Sequence, residues 1–306
     1  MSGQSPEYKA GYVAILGRPN VGKSTLLNAL MGQKIAAVSP RPQTTRRRQL
    51  GILTLEKAQV IFIDTPGMHK PVHKLGKFMN EEALAALKDA DVLVFMVDAS
   101  QSSGDEDRLL AGPVNQLKPP PPLLLALNKI DLVAPEDLPG RQAAYQALVP
   151  TAFPKAFSAL TGYQAGELLQ EIIARLPAGQ PFFEEDQVTD FYEREIAGEL
   201  VREASMNFLH DEVPHCITVR VDEYTERGEG GAYIAATLFV ERESQKGIVI
   251  GQGGTMLKKI GASARKEIET MSGRKVFLEL RVKVQKNWRN SPDALRLLGF
   301  HHKEED

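Results

Sequence analysis

The chain carries one cysteine, Cys216, so no disulfide can form within it, a usage that fits a reducing, cytosolic setting. Cys216 lies in the apolar run Cys216-Ile217-Thr218-Val219, which reads as a buried strand thiol rather than a reactive one. Tryptophan also occurs once, at Trp288, and reads either as a core anchor or as a base-stacking platform. No run of about 18 apolar residues exists, so nothing is expected to span a membrane, while peripheral contact stays open. The first ten residues lack the basic-then-apolar pattern of a secretory leader. An excess of one charge is missing too. The 37 Lys and Arg face 39 Asp and Glu, so total charge points to no nucleic-acid partner.

What is present is an ordinary globular composition spread over 306 residues, which suggests two domains. Residues 11–176 alternate strand-like and helix-like stretches. Tyr12–Leu16 is a short apolar run ending in a glycine-rich turn, and Ser24–Met31 reads as a helix. Gln59–Ile63, Val92–Val97 and Leu123–Leu127 are continuous apolar runs of the kind a parallel sheet buries on both faces. Pro119–Pro122 reads as a stiff loop before the last of these. Glu81–Ala90 and Gly166–Leu176 read as helices. Strands alternating with helices predict an α/β, doubly wound domain over 8–178. Prolines, a glycine and an acidic cluster then mark a linker over 179–189. The remainder, 190–300, reads as α+β with a short tail at 301–306. Helical periodicity covers Phe191–Leu209 and Ser263–Met271, and strands are expected at Ile217–Val221, Ala232–Val240 and Val276–Val284.

Gly17-Arg18-Pro19-Asn20-Val21-Gly22-Lys23-Ser24, followed by Thr25, matches the phosphate-binding pattern Gly-x4-Gly-Lys-Ser/Thr between a strand and a helix. Glycines let the backbone wrap an anion, and successive N–H groups and the helix N-terminus face it. Lys23 is expected at the β- and γ-phosphates and Ser24 at Mg²⁺. Asp64-Thr65-Pro66-Gly67 follows a strand: its carboxylate suits Mg²⁺ through water, and the Gly67 N–H suits the γ-phosphate. Asn128-Lys129-Ile130-Asp131 follows another. Asp131 suits the paired donors of guanine, an edge adenine lacks. Ser158-Ala159-Leu160 comes after a further short strand, with the Ala159 N–H aimed at guanine O6. Between the first two motifs, Thr45 is favoured over Thr44 as the threonine that completes Mg²⁺ coordination and orders its loop. Arg46-Arg47-Arg48 beside it reads as a solvated basic loop or as an RNA or partner contact in the GTP state.

Four such motifs in this order resemble the GTPase superfamily, and the resemblance implies GTP rather than ATP. Lys23, Thr45 and Gly67 are then the catalytic candidates. Where Ras-like proteins place a water-orienting glutamine, this chain has Met68, which predicts slow hydrolysis. The P-loop is also similar to that of potassium-activated GTPases, which makes Asn20 a candidate K⁺ ligand or else a loop cap. His69 and His73 read as solvated rather than as bases, and Arg18 points to no role of its own.

In the second domain, Gly251-Gln252-Gly253-Gly254 sits between an apolar helix end and a helix with Lys258-Lys259. This resembles a KH domain of the prokaryotic type (type II), a fold whose Gly-x-x-Gly loop clamps about four nucleotides of single-stranded nucleic acid. Residues 251–290 hold ten Lys/Arg against three acids, a local +7 that favours RNA over a merely solvated face. Gly251, Gln252, Gly253, Gly254, Lys258, Lys259, Arg265 and Lys283 are the RNA candidates.

A GTPase domain followed by a KH domain is similar to the Era family of bacterial ribosome-assembly GTPases, over nearly the whole chain. The resemblance implies binding of GTP and GDP, contact with the 3′ region of 16S ribosomal RNA, and a role in 30S maturation. A monomer is expected, in the cytoplasm, with peripheral association to the inner membrane face. Two rival readings stay open: an RNA-binding module with a sensory GTP site, and a membrane-attached signalling GTPase.

Overall fold

The structure, a computed structural model, describes residues 8–300 apart from Pro40, Pro42 and Glu229. The tail expected at 301–306 lies outside the described residues. By contacts the chain divides into two units. One takes the chain up to Ala36 with Thr45–Lys70 and Met79–Asp190; the other takes Ala37–Thr44, Pro71–Phe78 and the chain from Phe191.

In the first unit the apolar runs become strands. These are β1 (Lys9–Leu16), β2 (Gln49–Leu55), β3 (Ala58–Asp64), β4 (Val92–Asp98), β5 (Leu123–Asn128) and β6 (Phe153–Ala156), joined in the order β2-β3-β1-β4-β5-β6. All pairs are parallel except β2 with β3. Alternation along β1 serves two cores. Val13 and Ile15 pack with Leu26 and Leu27 of helix α1 (Lys23–Met31), while Ala14 and Leu16 face Ala83, Ala86 and Leu87 of α2 (Lys74–Asp89). Helices α3 (Asp105–Asn115) and α4 (Leu138–Gln146) join the second core through Leu110 and Tyr145, and α5 (Ala165–Arg175) joins the first through Leu168 and Ile172. Each fully buried Leu, Ile or Phe contributes about 1.5–3 kcal/mol, so the two-sided sheet is a rigid base for the loops at its carboxyl edge.

The segment 179–189, expected as a linker, is held by hydrogen bonds. Buried Gln59 accepts from the N–H of Phe182 (2.7 Å) and of Phe183 (3.0 Å) and donates to the Phe183 carbonyl (2.9 Å). The Ile52 N–H donates to the Val188 carbonyl at 2.9 Å, and Thr189 bridges Gly51 beyond the edge strand. These bonds fasten the segment to the first unit, whose boundary falls at Asp190.

The second unit runs α6 (Glu193–Phe208), α7 (Val213–Cys216), β7 (Thr218–Arg227), β8 (Gly231–Val240), α8 (Glu243–Ile250), α9 (Thr255–Ser272), β9 (Lys275–Val284) and α10 (Pro292–Leu297). Its sheet has the order β7-β8-β9, antiparallel then parallel. Ile260, Ala264 and Ile268 of α9 and Leu200, Val201 and Ala204 of α6 bury one face of it. Trp288 is buried as an anchor: its indole donates to the Cys216 carbonyl (2.9 Å) and its ring stacks on Phe300. Residues 37–44 belong here by contact. Buried Arg202, bound to Glu199, donates to the carbonyls of Gln43 and Thr44, and the Val38 N–H donates to Glu203 at 3.2 Å.

Candidate nucleotide site and candidate nucleic-acid interface

The P-loop follows β1 and enters α1 through Gly22, whose φ of +104° excludes ordinary side chains. A Cβ there would also lie 2.4 Å from the Asn128 amide nitrogen. At Gly67 a Cβ would lie 2.7 Å from the Pro19 nitrogen, so the Asp64–Gly67 turn presses directly on the P-loop. Lys23 is buried, and its ammonium donates to the carbonyls of Gly17 and Arg18, each at 3.0 Å. Burial pushes it down to about 8, against the pull of Asp64.

Asp64, fully buried at the end of β3, accepts from the Ser24 hydroxyl (2.9 Å) and the Thr45 hydroxyl (3.0 Å) through one oxygen. The two hydroxyls are 3.0 Å apart. The other carboxylate oxygen, Oδ1, is buried without a hydrogen-bond partner. Burial pushes this carboxyl up, while Lys23, Ser24 and Thr45 restrain it. A buried oxygen with no donor beside two hydroxyls is a donor set for a hard cation. Thr44 turns elsewhere: its hydroxyl donates to the Arg41 carbonyl at 2.9 Å. Adjacent residues of an extended loop point opposite ways, which is why the sequence left the pair open.

Asn128 ties three segments together. Its amide donates to the Val21 carbonyl (2.7 Å), and its oxygen accepts from the Ala159 N–H (2.8 Å). The donor expected at guanine O6 is therefore already engaged with Asn128. Lys129, left-handed at φ +65°, donates to Asp98 at 2.7 Å. Burial pushes the Asp98 carboxyl up, but the bonds from Lys129 and Ser100 outweigh it and leave it below the usual range. Asp131 and Leu160 are exposed, whereas Ser158 is buried with its hydroxyl accepting from the Thr161 N–H. Thr65 is structural, its hydroxyl donating to the Ile15 carbonyl at 2.6 Å.

Arg18 gains a role the sequence did not suggest. Its guanidinium turns to Asp107 (3.0 Å) at the start of α3 and to Gln101, while its carbonyl receives Lys23. Asn20 is exposed with φ +64°. Met68 is buried in the core with Ala83 and Leu87. His69 has Nδ1 3.2 Å from the Gly67 carbonyl.

In the second unit Gly251, Gly253 and Gly254 all have positive φ, and a Cβ at Gly251 would lie 2.8 Å from the Met256 nitrogen. Beside this loop opens a cleft of about 410 Å³ between α9 and β9. Gly254, Lys258, Gly261 and Arg265 form its walls, and Leu257, Leu278 and Leu280 its apolar lining. Those leucines are not among the expected RNA residues; their alternation along β9 is the signal that points to them. Lys259 lies outside the cleft, its ammonium 4.6 Å from the centre of the Phe208 ring. Lys283 lies on the opposite face of β9, among its odd-numbered, outward residues.

Comparison with known proteins bears on both regions. Residues 12–129 match a family described as a 50S ribosome-binding GTPase, and residues 212–289 match the KH domain family. GTPase Era of Leuconostoc citreum (strain KM20) is 46% identical over 297 residues, 96% of this chain and 97% of that protein. A crystal structure of Era in complex with MgGDPNP and nucleotides 1506–1542 of 16S ribosomal RNA superposes with a TM-score of 0.90 at 40% identity, covering 96% of this chain and 99% of that one. A single-residue variant of Aquifex aeolicus Era bound to GDP and AlF4⁻ gives 0.91 at 39% identity, covering 95% and 99%. With that identity across both units, the chain belongs to the Era family of GTPases.

Proposed function

We propose that this protein hydrolyses GTP at its P-loop and uses the nucleotide state to control a grip on single-stranded RNA. Its target on this reading is the 3′ region of 16S ribosomal RNA during assembly of the 30S subunit. The observation that carries the reading is one chain holding both a buried hydroxyl–carboxylate cluster with an unpartnered oxygen and a glycine-gated basic cleft. A relative 40% identical over 96% of the chain is known with both MgGDPNP and 16S RNA nucleotides.

Mg²⁺ fits Ser24, Thr45 and Asp64, and when bound there it neutralises charge on the phosphates. The Lys23 ammonium, held by two carbonyls, is positioned to exchange them for β- and γ-phosphate oxygens. Backbone N–H groups from Gly17 to Thr25, Pro19 excepted, cradle the phosphates, with Arg18 bracing the loop against Asp107. Gly67, packed on Pro19, offers its N–H to the γ-phosphate. Asp131 reads guanine, and Asn128 with Lys129 holds the loops around it. A buried Met68 orients no water, so turnover is slow. K⁺ held through Asn20 would supply charge stabilisation; equal rates in K⁺ and Na⁺ would remove that role.

Loop 37–44 leads covalently into Thr45. When Thr45 engages the γ-phosphate site, the pull passes to the Gln43 and Thr44 carbonyls and so to Arg202 on α6, which packs against α9. Helix α9 starts at the Gly-x-x-Gly loop and carries Lys258 and Arg265. Action in the cytoplasm as a monomer goes with a ribosomal target. No helix among the described residues is long and apolar enough to cross a membrane, and contact with the inner membrane face is, on this reading, peripheral.

The test is Gly253→Asp, measured for both activities in one preparation. The loop at Gly253 has open space around it, and its left-handed φ of +60° is one that Asp adopts at modest cost, so the variant should fold. Affinity for a 16S 3′-end oligonucleotide should drop about tenfold or more as carboxylate meets phosphate, with GTP hydrolysis within about twofold. Undiminished RNA binding would sink the cleft assignment.

A further inference from the structure

The cleft uses one side of β9, and the other side carries chemistry that the cleft does not absorb. Val276, Leu278, Leu280 and Val282 pack toward the helices. Lys275, Phe277, Glu279, Arg281 and Lys283 alternate with them and point outward, all but Glu279 being exposed. Phe277 is 65% exposed, an unusual position for a large aromatic ring. It is held in place nonetheless. Tyr233, its register partner in β8, lies beside it with centroids 5.8 Å apart and planes within 19°. The Arg227 guanidinium sits 4.8 Å from the Tyr233 ring centre. The Tyr233 hydroxyl donates to Glu279 at 2.7 Å, and the same carboxylate accepts from Arg281.

These bonds pair the one acid among the outward residues of β9 with Arg281, leaving Lys275 and Lys283 as the uncompensated cations beside an open ring. Of the nearby acids on β7, Asp222 pairs with Arg220 and accepts from Thr237, while Glu223 accepts from Thr225 and keeps its charge. A fixed aromatic face flanked by cations fits a nucleobase with its phosphates, because every base has a π-face and stacking needs no particular sequence. Continuity favours the same strand that the cleft holds. β9 ends the sheet, and Leu278 and Leu280 of the cleft alternate with Phe277 and Arg281 on that single strand. A strand leaving the cleft has about 10 Å of sheet thickness to round at this edge, the length of roughly two nucleotides.

We propose that the outward face of β9, centred on Phe277 beside Tyr233 and flanked by Lys275, Arg281 and Lys283, is a second RNA contact that stacks a base of the strand whose neighbouring nucleotides occupy the cleft. This rests on the cleft being the primary RNA site. The second contact adds affinity for longer strands without adding sequence preference.

The test compares two labelled single-stranded RNAs by fluorescence anisotropy on the full chain. One is about four nucleotides long, enough for the cleft; the other is about twelve, enough for both contacts. Phe277→Ala should weaken the longer RNA about tenfold and leave the shorter within about twofold, with Phe277→Tyr restoring affinity. Phe277→Trp should report stacking directly, its added emission quenched by the longer RNA alone. Equal effects of Phe277→Ala on both lengths, or on neither, overturn the proposal. So does a change in sedimentation of the RNA-free protein on Phe277→Ala, which would make the face a contact between copies. Failure of the shorter RNA to bind the wild-type chain would remove the cleft reading itself, and the extension with it.

Discussion

Met68→Gln installs, at the residue after Gly67, the side chain that Ras-like GTPases use to orient water. The geometry predicts that it fails to speed hydrolysis and costs stability. Met68 is only 6% exposed and packs with Ala83, Ala86 and Leu87 rather than standing over the P-loop. Gln is close to Met in size, so cavity terms are small, but its amide would enter an apolar cluster. Burying an amide without partners costs about 1–3 kcal/mol in protein mutational data. For a unit of this size each kcal/mol lowers the midpoint by about 2–4 °C, so the first unit should melt roughly 2–12 °C lower. Thermal unfolding of the GDP-loaded protein reads the stability, and single-turnover phosphate release reads the chemistry, expected within about twofold of wild type. A tenfold acceleration with an unchanged midpoint would show that side chain 68 faces the reacting phosphate, refuting the reasoning.

Other perturbations follow from the same geometry. Asp131→Asn should weaken GTP by about 1.5–3 kcal/mol, the worth of a charged hydrogen bond, and shift preference toward xanthine nucleotides in a competition assay; unchanged preference would count against the guanine assignment. Asp64→Asn should abolish the gain in nucleotide affinity that Mg²⁺ gives, so titration with and without EDTA should coincide for the variant and differ for the wild type. Arg202→Ala should leave hydrolysis within about twofold while making RNA affinity insensitive to the bound nucleotide, because the loop leading to Thr45 loses its anchor on α6.

Much of the site was legible because phosphate chemistry demands small residues at fixed spacing. Gly17, Gly22, Lys23 and Ser24 announce themselves, and the fully buried strands β3, β4 and β5 carry no competing period. Helices that contain breakers were not legible. α3 holds Gly112 and Pro113 near its end, and α4 opens with Pro139 and Gly140, so neither presents an uninterrupted pattern. Edge strand β2 is only half buried, which blurs its alternation. The helix expected at Lys258-Lys259 and the one expected over Ser263–Met271 are a single element, α9, which begins at Thr255 directly after the glycine loop. Composition marked a linker at 179–189 but not what fastens it: one buried glutamine, Gln59, makes three hydrogen bonds with the segment. Side-chain direction was beyond sequence altogether: Lys258 lines the cleft and Lys259 does not, and Thr45 reaches Asp64 while Thr44 turns away.

The central claim, that nucleotide state governs the RNA grip, is tested most directly by the affinity of the full chain for a 16S 3′-end RNA measured with a non-hydrolysable GTP analogue and with GDP. Binding should be at least about tenfold tighter with the analogue, a coupling within the usual range of about 1–3 kcal/mol. Equal affinities would contradict it, leaving an RNA-binding protein whose GTP site controls something else.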